Sequence, residues 1–125
     1  MCQEKSDEER TKEMLESIEK VYGFVPLVNE ILSERPDLFI PSVELGRSVF
    51  YGKCEMNRKT RHLVALAAAA GVGAEHCMGV QIKLALKAGA TRNEILEAMQ
   101  IASVVSMTHT QSVAFRKFRE LVPKE

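Results

Sequence analysis

Asn57-Arg58-Lys59-Thr60-Arg61-His62-Leu63-Val64-Ala65-Leu66-Ala67-Ala68-Ala69-Ala70-Gly71-Val72-Gly73 reads as one helix from cap to stop. Asn57 supplies a side-chain oxygen for the free N–H groups of the first turn. Four consecutive alanines give high helix propensity and a surface low enough for a neighbouring helix to approach closely. Gly71 and Gly73 end the run, because glycine accepts the left-handed conformation of a helix C-terminus. A second helix is predicted from Ala74 to Ala88, closed by Gly89, so the two form an antiparallel pair joined by a short turn.

The same grammar extends in both directions. Ser6-x-x-Glu9 and Thr91-x-x-Glu94 are capping boxes, each pairing a hydroxyl with a carboxylate three residues on. After the first, Met14, Leu15, Ile18, Val21 and Tyr22 recur at helical spacing until Gly23. Pro26 and Pro36 suit the first turns of two further helices, with Pro41 in the first turn of the latter or kinking it. After Thr91, a sixth helix carries Ile95, Leu96, Met99, Ile101, Ala102, Val104 and Val105. A seventh is predicted from Thr110 to Val122, and His109 is placed in the loop or helix start before it. No segment shows the strict alternation of a strand. The reading is an all-α helical bundle of a single domain over residues 1–125, with residues 1–9 as a mobile terminal tail.

Composition narrows the function. The chain has 125 residues, 46% hydrophobic and 27% charged, which supports a packed core rather than disorder. Its 17 basic and 17 acidic side chains cancel, so a nucleic-acid partner, which would call for a basic excess, is not expected. The longest run without a formal charge, Ala98 to Phe115, holds too many Ser, Thr and Gln residues for a membrane span. The polar, acidic start is unlike a signal peptide, so a cytoplasmic protein is expected. Cys2, Cys54 and Cys77 are odd in number and widely spaced, which is no disulfide framework.

Chemistry concentrates in Ala74-Glu75-His76-Cys77-Met78-Gly79-Val80-Gln81. Cys77 falls in the first turn of its helix, where free N–H groups and the dipole favour an anion. His76 is its neighbour, and Gln81, four residues on, shares its face. Two readings stand side by side: a reactive thiol, or a small buried apolar residue. His62 is either a proton relay or a hydrogen-bonded, partly buried side chain. His62, His76 and Cys77 match no usual zinc spacing, and no metal or other cofactor is expected. Arg58, Lys59 and Arg61 crowd a helix start where cations are disfavoured, so they either meet acidic groups of a neighbouring subunit or stay solvated.

Three pieces of the chain stand out together: Lys59-Thr60-Arg61-His62-Leu63-Val64-Ala65-Leu66-Ala67, Glu75-His76-Cys77, and Ala85 through Ile95 with its Ala88-Gly89-Ala90-Thr91 turn. In these pieces the chain resembles the carboxymuconolactone decarboxylase and AhpD-like (alkylhydroperoxidase D-like) family. The resemblance runs from about Val21 to Val122. The AhpD-like branch typically has a glutamate, then Cys-x-x-Cys-x-x-x-His. Cys77 matches the second cysteine. Ala74 stands in place of the first, Gln81 in place of the histidine, and His62 in place of the glutamate. The decarboxylase branch also lacks the cysteine pair and relies on histidine chemistry, its histidine again falling near Gln81.

The resemblance implies an AhpD-like helical fold and a homo-oligomer, a homotrimer or homohexamer. It implies a thiol-dependent peroxidase with peroxiredoxin-type antioxidant activity, fed by a thiol electron donor. In that reading Cys77 is the nucleophile, His76 and His62 relay protons, Gln81 orients, and Cys54 is the candidate resolving thiol. Gln81 itself cannot be a general base, since an amide does not titrate usefully. Two alternatives accompany it. One is a decarboxylase-like acid–base enzyme using His62, His76 and Arg61. The other is a non-catalytic assembly module of the same fold.

Overall fold

The computed structural model describes residues 4–125, and Cys2 lies outside them. Among the described residues there are six helices and no strand: α1 (Asp7–Tyr22), α2 (Leu27–Leu32), α3 (Pro36–Tyr51), α4 (Arg58–Val72), α5 (Glu75–Lys87) and α6 (Arg92–Leu121). The all-α expectation holds. The chain forms two compact units that divide between Glu55 and Met56.

In the first unit, α3 packs against α1 and α2. Met14 and Ile18 of α1 meet Phe39 and Ile40 of α3 in a small core, flanked by Leu15, Tyr22, Leu32 and Val43. The capping box at Ser6 is present, with Ser6 Oγ accepting from the Glu9 amide and the Glu9 carboxylate accepting from the Ser6 amide. Asp7, Glu8 and Glu9, expected in a terminal tail, are therefore the first turn of α1, where acidic side chains complement the dipole. Pro36 opens α3 and Pro41 lies inside it.

In the second unit, α4 packs against both α5 and α6. Leu66 and Ala85 are fully enclosed, with Ala90 and Ile95 completing the core and Leu63, Met78, Ile82 and Met99 around it. Asn57 caps α4 as expected, accepting from the Thr60 amide at 2.8 Å. Gly73, at φ 72°, ends α4 and turns the chain directly into α5. A side chain there would be strained, which is why the two-residue connection needs glycine.

The predicted seventh helix does not exist as a separate element: α6 runs unbroken through His109 and Thr110. At Thr110, the expected start of that helix, the hydroxyl donates back to the Ser106 carbonyl at 3.0 Å. Ser103 and Thr108 do the same to Met99 and Val104. These hydroxyls bond to the carbonyl four residues earlier and leave the helix intact. Neither glycine nor proline occurs between Thr91 and Val122 to stop it. No helix among the described residues is long and apolar enough to cross a membrane.

Candidate functional site

The α4–α5 hairpin builds the site. Gly73 turns the chain from α4 into α5, and the two helices pack against each other. His62, in the second turn of α4, meets Gln81 on α5, with Nδ1 and Oε1 2.9 Å apart. His62 is only 1% exposed, and Gln81 is half-buried. An amide oxygen only accepts, so Nδ1 is the donor in this bond. His62 is thus hydrogen-bonded and more deeply buried than the sequence suggests.

Cys77 is exposed and unpaired in a disulfide, in the first turn of α5 as expected. The alternative of a buried apolar cysteine does not hold. Cys77 precedes Gln81 by one turn, about 6 Å along the helix axis. His76 is exposed beside it. Ala74 occupies the N-cap and makes no side-chain cap bond, as its methyl group requires.

Cys54 follows α3 in the first unit, half-buried, and its thiol donates to the Val49 carbonyl at 3.3 Å. It belongs to a different compact unit from Cys77.

One partner went unseen in the sequence. Lys59 Nζ reaches Glu94 Oε1 at 2.8 Å, tying the first turn of α4 to the first turn of α6. Lys59 is therefore neither simply solvated nor in need of an acidic group from another subunit. Glu94 also accepts from the Thr91 amide at 2.8 Å through its other oxygen. The Lys59 bond, then the Thr91 amide, hold its carboxyl below the ordinary glutamate value. The residue read as the second half of a capping box is also a cross-helix anchor. Its 35-residue separation from Lys59 left no local pattern to find.

Among the described residues no three His, Cys, Asp or Glu side chains converge as metal ligands. A groove of about 750 Å³ in the first unit, lined by Lys5, Asp7, Arg10, Glu13 and Arg47 among others, contains none of the predicted site residues.

No curated protein and no solved structure matches this chain. A family model does match, over residues 36–120, from the first residue of α3 almost to the end of α6. That leaves α1 and α2 outside and takes in every residue of the site just described. Covering well over half of the sequence, the match establishes that the chain belongs to the carboxymuconolactone decarboxylase family.

Proposed function

We propose that this protein is a thiol-dependent peroxidase with Cys77 as its nucleophile. The observation that carries the reading is the exposure of Cys77 in the first turn of α5, one turn before the amide that holds His62. A hydroperoxide reaches that sulfur without opening the fold. The helix start offers free backbone N–H groups to the anionic species on the path.

The sulfur of Cys77 attacks one peroxide oxygen. The S–O bond forms, the O–O bond breaks, and the leaving oxygen departs as an alcohol carrying the proton the thiol gave up. Sulfur is oxidised by two electrons to a sulfenic acid, and the peroxide is reduced. An external thiol then condenses with the sulfenic acid, forming a disulfide and releasing water. A second thiol exchanges onto it and returns Cys77 to its reduced state. His62, bonded through Nδ1 to Gln81, and His76, beside the thiol in sequence, are the candidate proton relays. Cys54 is the internal candidate for the resolving step.

The test is peroxide consumption with cumene hydroperoxide as oxidant and dithiothreitol as donor. Cys77→Ser is expected to fall to the uncatalysed rate. Dimedone trapping after peroxide treatment is expected to label Cys77. Loss of peroxide-induced disulfide in Cys54→Ser assigns the resolving role to Cys54, and its persistence assigns that role to an external thiol. Unchanged consumption in Cys77→Ser, or peroxide treatment that leaves Cys77 unmodified, overturns the proposal.

A further inference from the structure

We infer that a cleft between α1 and the start of α3 binds a small organic cation, an alkylamine whose chain fills the cleft and whose ammonium group donates to Thr11. The cleft has a volume of about 340 Å³ and lies wholly in the first unit. That volume falls within the range of ligand-sized pockets. Leu15 lines it from α1, Val25 from the turn before α2, and Pro36 from the first residue of α3. These three side chains offer hydrocarbon alone. Apart from Pro36, the residues of the cleft precede the stretch that matches the family model, and Cys77 belongs to the other unit.

Thr11 also lines the cleft. It is 8% exposed, and its hydroxyl has no hydrogen-bond partner. No other buried side-chain oxygen or nitrogen among the described residues is left so. A hydroxyl inside a helix ordinarily donates to the carbonyl four residues back, as Ser103, Thr108 and Thr110 do here. Thr11 does not, and a buried hydroxyl without a partner destabilises the fold. Valine fills the same space without that penalty. A ligand that brings a donor removes it. Threonine in a helix divides between two χ1 rotamers, so rotation about one bond exposes the oxygen to an occupant.

The rim sets the sign of the ligand. Glu8, Glu16 and Glu19 border the cleft with Lys12, three carboxylates against one ammonium. Asp7 and Glu13, on the opposite side of α1, are held by Arg10 and Lys5. Glu8, Glu16 and Glu19 form no ion pair among the described residues. Glu8 comes three residues before Thr11 and Leu15 four after it, so the three share one helix face. Carboxylate, hydroxyl and hydrocarbon follow in that order. An amine with its head between Glu8 and Thr11 lays its chain along Leu15. An alkyl carboxylate meets like charges there, and an alcohol gains no attraction from them.

The experiment titrates the full chain at neutral pH with hexylamine, hexan-1-ol and hexanoate, read by amide NMR. Hexylamine is expected to give saturable shifts at Thr11, Leu15 and Val25. Hexan-1-ol is expected to bind several-fold more weakly, and hexanoate to leave the spectrum unchanged. Thr11→Val is expected to weaken hexylamine about tenfold, the equivalent of one hydrogen bond, while raising the urea midpoint. Thr11→Ser, which keeps the hydroxyl, is expected to keep the affinity. Glu8→Gln is expected to weaken hexylamine and leave hexan-1-ol as it was. The proposal is overturned by hexylamine without saturable shifts at these residues, by hexan-1-ol or hexanoate binding as tightly, or by undiminished affinity in Thr11→Val. A lowered midpoint in Thr11→Val means that the hydroxyl already has a partner, and overturns it as well.

Discussion

Gln81 supplies the acceptor for His62 Nδ1. The imidazole is enclosed, and its Nδ1 bond to Oε1 spans 2.9 Å between two helices. Leucine at position 81 keeps the bulk and removes the acceptor. Gln81→Leu is expected to cost about 1–3 kcal/mol in urea unfolding, the usual penalty for stripping a buried donor of its partner. The imidazole nitrogen shifts in NMR are expected to move away from the Nδ1–H pattern. Glu94 offers a second test at this scale. Its folded-state pKa is lowered, first by Lys59 and then by the Thr91 amide, so its contribution to stability is complete above the unfolded glutamate value of about 4.3 and fades as pH falls through the folded value. The stability gap between the native protein and Lys59→Met is therefore expected to narrow between pH 7 and strongly acidic pH, read from urea midpoints at each.

Helix starts differ within this one chain. Thr91 closes a full capping box, whereas Ala74 caps nothing. Ala74→Ser is expected to stabilise by about 1 kcal/mol, seen as a raised Tm, while Thr91→Ala is expected to lose about the same amount. The continuity of α6 gives the sharper test. Proline is tolerated at the start of a helix but costs about 3 kcal/mol in its interior. Thr110 sits deep inside α6. Thr110→Pro is expected to lower stability and helical circular dichroism together. A variant with unchanged ellipticity and midpoint would mean that a new helix begins there.

At the scale of the molecule, each unit carries its own small core, and the predicted site residues except Cys54 lie in the second unit. Leu66, with no exposed surface, sits on α4, the helix that packs against both α5 and α6. Leu66→Ala is expected to cost about 2–5 kcal/mol, part transfer energy and part cavity, measured by denaturant unfolding. Because His62 lies on the same helix, one turn earlier, the loss is expected to disturb the His62–Gln81 geometry before the fold fails. The imidazole shifts report it.

Five of the six helices, and both ends of the sixth, were legible as local chemistry. Asn57, Gly73 and Thr91, and Glu94 in its capping role, act through neighbours at most four residues away, so these roles are written in the order of the residues. Cys77 was placed in its first turn for the same reason, and the family was legible from Lys59 to Ile95. What the chain alone left open was everything settled across distance. The exposure of Cys77, the burial of His62 and its bond to a residue 19 positions on, and the Lys59 bond to Glu94 depend on how α4, α5 and α6 pack. Thr110 is the instructive miss. Its side chain suits both a cap and an interior bond to the carbonyl four residues back, and local sequence cannot rank the two. Here the bond to the Ser106 carbonyl wins, and no glycine or proline interrupts the run. The tertiary structure decided the pairings across 19 and 35 positions, because they depend on how whole helices pack and have no signature in a window of a few residues.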